Sequence, residues 1–392
     1  MKTRTVLILI TLLCAAMASV QSAYTATIFV TGTNDSGFGS LRFALGIAGD
    51  GYTIDATGVS GTILLTSGEL QINHNVTIKG PGAENLSVNG NAASIVFDNT
   101  ASNVTISGFT ITNGHDTNGG TGGAIYNTGG LTLSDSIISN SVASFGGGGI
   151  YSSEATLTVM NSTISGNSVT GVGGFGSGNG GGISSFGGTV TVINSTISNN
   201  SATCRGGAIN MNGSFGQLTV TNSTISGNFT GGGSECEGGL IAGGGIYFLG
   251  ATLRITNSTI SGNSAFTGGS LFNDSGGTAQ IGDTILNAGA SGGTIANSGT
   301  FISLGYNLAS DNGGGVLTGP GDQINTNPML GPLQDNGGPT FTQALLPGSP
   351  AINAGNPIFI TPPPRYDQRG PGFRRVRHGR IDIGSFEVQR RH

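Results

Sequence analysis

The chain of 392 residues has no tryptophan, 6% aromatic residues and only 8% charged residues. So few ionisable groups leave a narrow choice of acids, bases and nucleophiles, and catalysis is correspondingly hard to place. No later stretch matches the apolar run at residues 6–18, and that run, about a dozen residues long, is too short to span a bilayer. Proline is scarce, at 12, and there is no strict Gly-X-Y period, which excludes collagen. Basic residues number 14 against 19 acids, so nucleic acid is not an expected partner. What is abundant is Gly, at 74, and Asn, at 34. That much Gly excludes a helix-rich protein, because each Gly inside a helix costs about 1 kcal/mol relative to Ala. Disorder is excluded by the 36% hydrophobic residues, spread evenly and able to bury a core. A Gly-rich, repetitive β protein remains.

Lys2 and Arg4, the apolar run and small residues at Ala16-Met17-Ala18 or Val20-Gln21-Ser22 have the layout of a secretory signal peptide over 1–22. Leu13 before Cys14 argues against lipidation. The mature chain is expected to be exported, to the extracellular space or cell surface, without a transmembrane segment. Its charge is uneven: residues 19–364 hold 16 acids and 4 bases, whereas 365–392 hold 8 Arg and 3 acids. The basic end reads as a solvated tail or as internal pairing with the acidic body.

Self-similarity is the strongest signal. Gly-Gly-x-Ile phrases recur, as in Gly122-Gly123-Ala124-Ile125, Gly206-Gly207-Ala208-Ile209 and the shorter Gly148-Gly149-Ile150, Gly181-Gly182-Ile183 and Gly244-Gly245-Ile246. Each is followed by a second block such as Asn161-Ser162-Thr163-Ile164-Ser165-Gly166-Asn167. The spacing from first to second Ile stays within 13 to 16 residues, while the return varies from 10 to 21, so insertions are confined to one corner. Apolar residues alternate with Thr and Ser, as in strands with one buried face: Leu157, Val159 and Ile164 inward, Thr158, Thr163 and Ser165 outward. Units of about 25 residues are too short for propeller blades of about 40. The expected fold is all-β, a right-handed parallel β-helix of about 11 coils built from three short strands per turn. Asn and Gly at the corners suit left-handed backbone and close packing. Asp135 and Asp283 stand where the corner Asn recurs and read as turn residues. Ser40, then Leu41, Ala44 and Leu45, predicts a short N-capped helix covering the first coil. The domains are the signal peptide 1–22, the helix with its cap 23–326 (clean repeats 122–300) and a segment 327–392 closing the solenoid.

Cys204-Arg205-Gly206-Gly207 and Cys236-Glu237-Gly238-Gly239 are the same phrase in the variable corner. In an exported protein this pair reads as a disulfide, with Arg205 and Glu237 as an exposed ion pair. No metal site is expected, since none of the four His clusters with these thiols.

The chain resembles a known family through most of the mature sequence. Asp35-Ser36-Gly37-Phe38-Gly39-Ser40-Leu41-Arg42 is similar to the opening of exported bacterial β-helix proteins. The Gly-Gly-x-Ile and Ile-Ser-x-Asn phrases are similar to polymorphic outer-membrane protein repeats. Gly337-Gly338-Pro339-Thr340, Leu346-Pro347-Gly348-Ser349-Pro350-Ala351, Asp367-Gln368-Arg369-Gly370 and Asp382-Ile383-Gly384-Ser385-Phe386 resemble the choice-of-anchor Q domain. The resemblance implies an exported or surface protein and supplies no catalytic residues. With Val388-Gln389-Arg390-Arg391-His392 following Glu387, free secretion or non-covalent attachment is expected over anchoring.

β-helices also carry polysaccharide lyases and hydrolases, but fold alone does not establish an activity. Glycoside hydrolysis needs two carboxyl groups about 5 to 10 Å apart. The best cluster is Glu235, Glu237 and Arg205 in the long corner, with Arg254 a further candidate. Solvated loop charges are the preferred reading of these residues. His74 and His115 read as surface-turn residues, and Asp367, Arg369 and Asp382 as a structural pairing that closes the last coils. A Thr132, Thr158, Thr191 and Thr219 ladder is interrupted by Arg254 and Gln280, which argues against crystal-face binding. The expectation is a non-enzymatic, adhesin-like or scaffolding monomer that contacts glycans or envelope components and needs no cofactor. The alternative is a lyase or hydrolase acting on uronate-type glycans.

Overall fold

The computed structural model describes residues 26–116, 120–171, 177–232, 236, 239–358, 364–377 and 379–389. The expected signal peptide at 1–22, Glu235 and Glu237 lie outside these residues. The chain winds as a parallel β-solenoid with three long sheets of eleven, ten and nine strands. Eleven stacked strands at about 4.8 Å make a rod about 50 Å long.

One coil illustrates the path. Ile150–Ser153 lies in the nine-stranded sheet, Thr156–Met160 in the eleven-stranded sheet and Thr163–Ser165 in the ten-stranded sheet. Ser168–Val169 then adds to a fourth, four-stranded sheet before the variable corner. This fourth sheet was not expected; its two-residue strands are too short to show a period. The coil-to-coil pairings are parallel, with register shifts only at Ser261/Asn263 and Ile281/Gly282 among the described residues, and Ile125, Ile150, Ile183, Ile209 and Ile246 form one buried column. Ile138, Ile164, Ile197, Ile225 and Ile260 form another. Identical β-branched residues stacked at strand spacing pack against one another, which favours a strict repeat.

The Gly-Gly phrase has a steric cause. A Cβ on Gly148, Gly181 or Gly207 would lie within 2.6 Å of backbone carbonyl oxygens on the neighbouring coil. The recurring corner Asn is explained by backbone geometry: Asn161, Asn194, Asn222 and Asn257 have φ of 50 to 54°, and Asp135 and Asp283 share that conformation. These are turn residues, as their sequence positions suggested.

The second corner is held from inside. Asn167, Asn200, Asn228 and Asn263 are buried and form a ladder. Each amide nitrogen donates to the next amide oxygen at 2.9 to 3.0 Å, from Asn167 to Asn200, Asn228 and Asn263. Each oxygen also accepts the backbone N–H of the preceding coil, as Asn228 does from Asn200 at 2.9 Å.

The helix α1, Leu41–Ile47, begins at Ser40, whose hydroxyl accepts from the Phe43 N–H at 3.1 Å, and buries Leu41, Ala44 and Leu45 against the first coils. The other end is covered by the loop after Asp311. There Leu317 and Val316 pack into the core, and the Asp311 and Asp322 carboxylates accept backbone N–H groups of Thr294 and Asn307.

The described residues from 327 onward lie along the flank of the ten-stranded sheet. Thr196, Thr224 and Thr259 are registered neighbours on the outer face of that sheet. The Gln368 amide donates to Thr196 and accepts from Thr224, and Ser385 donates to Thr259. Ala351, Ile383, Phe386 and Val388 cover Ile285 and Leu308 further along. Asp367 and Arg369 form a buried ion pair at 2.5 Å within this strap, with the guanidinium between the Phe373 and Phe386 rings. Of the described arginines at this end, Arg369 and Arg375 are buried and Arg380 partly so, whereas Arg365, Arg374 and Arg377 are exposed. Arg375 is fully buried against Asn257, and Arg380 donates to the carbonyls of Ala354 and Gly355.

Candidate functional site

Side chains alternate along a strand, so the residue after each buried Ile of the nine-stranded sheet points outward. Parallel register lines these residues up across the coils. The column reads Gln71, Asp98, Tyr126, Tyr151, Ser184, Asn210, Tyr247, Phe272. It passes from polar to aromatic, to a notch of small polar residues, and back to aromatic.

Tyr126 and Tyr151 stack with ring centroids 5.7 Å apart and planes 5° from parallel. Burial, with the neighbouring Tyr126, raises the Tyr151 phenol above the ordinary tyrosine range against a hydrogen bond from Ser153, so Tyr151 keeps its proton and remains a donor. Tyr247 and Phe272 also stack, at 5.5 Å, but Tyr247 is buried beneath Leu240 and Ala242 of the corner. Its hydroxyl donates to Asp274 at 2.5 Å. The open part of the face is therefore Tyr126, Tyr151 and the notch.

The notch is a cavity of about 220 Å³ lined by Phe145, Tyr151, Asn179, Ser184, Phe186 and Asn210. Phe186, 49% exposed, is shared with a second cavity of about 340 Å³ that holds Glu154 and Phe215, the latter 91% exposed. Aromatic walls over a small number of fixed polar groups are the usual make-up of a ligand site. The insertable corner borders the notch through Phe145 and Asn179.

Arg205 sits at the edge of this face, its guanidinium 5.2 Å from the centre of the Tyr247 ring. Arg254 lies on the eleven-stranded sheet, where it donates to Gln280 at 2.9 Å, so it does not join Arg205. On that sheet Thr132, Thr158, Thr191 and Thr219 form one column, continued by Arg254 and Gln280. Cys204 and Cys236 are joined by a disulfide with a Cα–Cα distance of 5.5 Å, which ties the corner across 32 positions. His74 is exposed beside Asp50 at 3.7 Å, and His115 pairs with Val142 in a corner.

Two carboxylates meet where the sequence reading did not place any. The Gln71 side-chain nitrogen donates to Glu69 at 3.1 Å and to Asp98 at 3.0 Å. Their bonded oxygens are therefore no more than about 6 Å apart, within the range of paired glycosidase carboxyls. Arg42 lies alongside, donating to the Glu69 carbonyl and to Asp35. Among the described residues no group of three or more His, Cys, Asp or Glu is placed to hold a metal ion. Nor is any helix among them long and apolar enough to cross a membrane.

Sequence reasoning missed both the tyrosine pair and the notch. The signal was available in Ile125-Tyr126 and Ile150-Tyr151, since the residue after the repeat Ile must face outward. The Glu69 and Asp98 meeting had no such signal, because the early coils lack the phrases that fix register.

No family model matches the chain, and no curated protein does. Among solved structures the chain is similar to pectate lyase Pel9A, with a TM-score of 0.54 and 16% identity over 93% of this chain and 97% of that one. At that identity the likeness is one of fold.

Proposed function

We propose that the protein is an exported β-helical rod that contacts polysaccharide at the cell surface or outside the cell and performs no chemistry on it. The observation that carries this reading is the open face of Tyr126, Tyr151 and the polar notch beside the insertable corner. Stacked rings offer a sugar ring an apolar face, and the notch offers hydrogen bonds that fix its orientation. The signal-peptide layout read in the sequence at 1–22 supports export, and the likeness in fold to a pectate lyase supports a polysaccharide-related role by analogy.

A second reading, a glycan hydrolase or lyase, is favoured by the Glu69 and Asp98 pair. Contact is preferred because one amide, Gln71, ties both acids together, whereas the aromatic notch lies on later coils of the same face. The test is affinity electrophoresis of the full chain through gels holding different polysaccharides. At least one polymer retards the protein, and Tyr126→Ala with Tyr151→Ala weakens that retardation about tenfold or more, worth about 1.4 kcal/mol. Equal retardation of the double variant overturns the assignment to this face.

A further inference from the structure

The corner between the nine- and eleven-stranded sheets is regular except on one coil. Two residues cross it at Glu154-Ala155, Gly187-Gly188 and Gly250-Ala251. The coil that includes Ile209–Asn212 uses four, Gly213-Ser214-Phe215-Gly216, and this longer turn holds Phe215 91% exposed. Ser153, Phe186 and Asn212 are registered neighbours, so Glu154, Gly187 and Gly213 follow them at one corner position on successive coils, each with positive φ. Glycine at two of these three positions leaves the corner open as a trough. The Glu154 Cγ lies over it, 3.7 Å from where a Cβ on Gly187 would stand. The trough is the cavity of about 340 Å³ walled by Phe186, Phe215 and Glu154. Glu154 is its one charged side chain among the described residues, and that carboxylate has no hydrogen bond or ion pair with any of them.

We infer that this trough is a subsite for an amino sugar carrying a free ammonium, which pairs with Glu154 while the sugar ring lies against Phe186 and Phe215. This deepens the contact reading above and rests on it. Phe186 also lines the notch beside Tyr151, so one polymer passes from the tyrosine pair over Phe186 into the trough. Charge decides the occupant. Phenyl faces attract a cation and a carboxylate pairs with it, and together they separate an ammonium from a hydroxyl or an acetamide. A uronate meets like charge at Glu154, and again at Asp98 beside Tyr126. The 16 acids against 4 bases over residues 19–364 give the body of the rod the same sign.

Isothermal titration of the full chain tests this at slightly acid pH, where the sugar amine is protonated. The probes are glycol chitosan, its N-acetylated counterpart glycol chitin, hydroxyethyl cellulose and polygalacturonate. Glycol chitosan binds about tenfold more tightly than the two neutral polymers, and polygalacturonate binds most weakly. Glu154→Gln weakens glycol chitosan about fivefold and leaves glycol chitin unchanged. Phe215→Ala weakens both about threefold. Both side chains are exposed, so both variants melt at the wild-type temperature. Asp335→Asn removes an exposed carboxylate from the strap and leaves the affinity unchanged. Equal affinity for glycol chitosan and glycol chitin overturns the inference. So does an equal loss in Asp335→Asn and Glu154→Gln, the mark of diffuse attraction to an acidic surface. If Tyr126→Ala with Tyr151→Ala loses binding while Glu154→Gln and Phe215→Ala keep it, the contact face stands and this subsite falls. If the wild-type chain binds none of the four polymers, both fall.

Discussion

Replacing Asn228 by alanine lowers the free energy of unfolding by about 3 to 5 kcal/mol, measured by urea denaturation. The Asn228 amide nitrogen donates to the Ile197 carbonyl and the Asn263 amide oxygen, each at 2.9 Å. Its oxygen accepts both the backbone and side-chain N–H groups of Asn200. Alanine strands these groups in an interior that excludes water, and each orphaned buried group costs about 1 to 3 kcal/mol. Relaxation of the neighbours keeps the total below the simple sum. The ladder also links coils, so the loss is not confined to one turn. Thr219→Ala, on the outward face of the eleven-stranded sheet, is the control and changes stability by less than about 0.5 kcal/mol. Similar losses for the two variants would mean that the Asn ladder has no special weight.

The second large effect concerns the strap. Asp367→Ala removes the counter-charge of Arg369, which stays buried between two phenyl rings, and also removes an acceptor for the Glu387 N–H. Breaking a buried pair from one side costs about 3 to 5 kcal/mol. The expected result is release of residues 364–388 from the ten-stranded sheet, seen as faster proteolysis there while the coils stay intact. Glu387 gives the docking a pH dependence. Burial pushes its carboxyl up to about 8, with Asp382 and Asp367 adding to the rise and Arg375 opposing it. An unfolded glutamate titrates near about 4.3, so the docked strap holds a proton that the released strap gives up. The contribution of Glu387 to docking is therefore fully present below about pH 4.3 and is lost as pH rises through about 8. After correction for the intrinsic base-catalysed rise of exchange with pH, protection of the strap falls over that range in the wild type and stays constant in Glu387→Gln. Equal pH dependence in both would place the titration elsewhere.

How much of this was legible in the sequence follows from how local each cause is. The solenoid was readable because the Ile phrases repeat with fixed spacing and the outward Thr and Ser keep phase. The corner Asn and Asp were readable because a left-handed backbone is a single-residue demand. The disulfide phrase placed Cys204 and Cys236 in one phase on neighbouring turns. The strap was not readable, because the fit of Gln368 to Thr196 and Thr224 spans 172 and 144 positions and depends on a sheet face that exists only once the coils have stacked. The site was half readable. Which residue of Ile150-Tyr151 faces outward is written in the alternation. That Ser184 and Asn210 open a notch beside it depends on register and on the corner above.

The central claim is contact without chemistry, and product release tests it most directly. The full-length chain is incubated with polygalacturonate and the neutral polysaccharides, and unsaturated uronate absorbance and new reducing ends are followed over time. The account predicts polymer binding with no product above the level given by a Glu69→Gln, Asp98→Asn variant. Steady turnover that disappears in that variant, or in Glu235→Gln with Glu237→Gln, would contradict it.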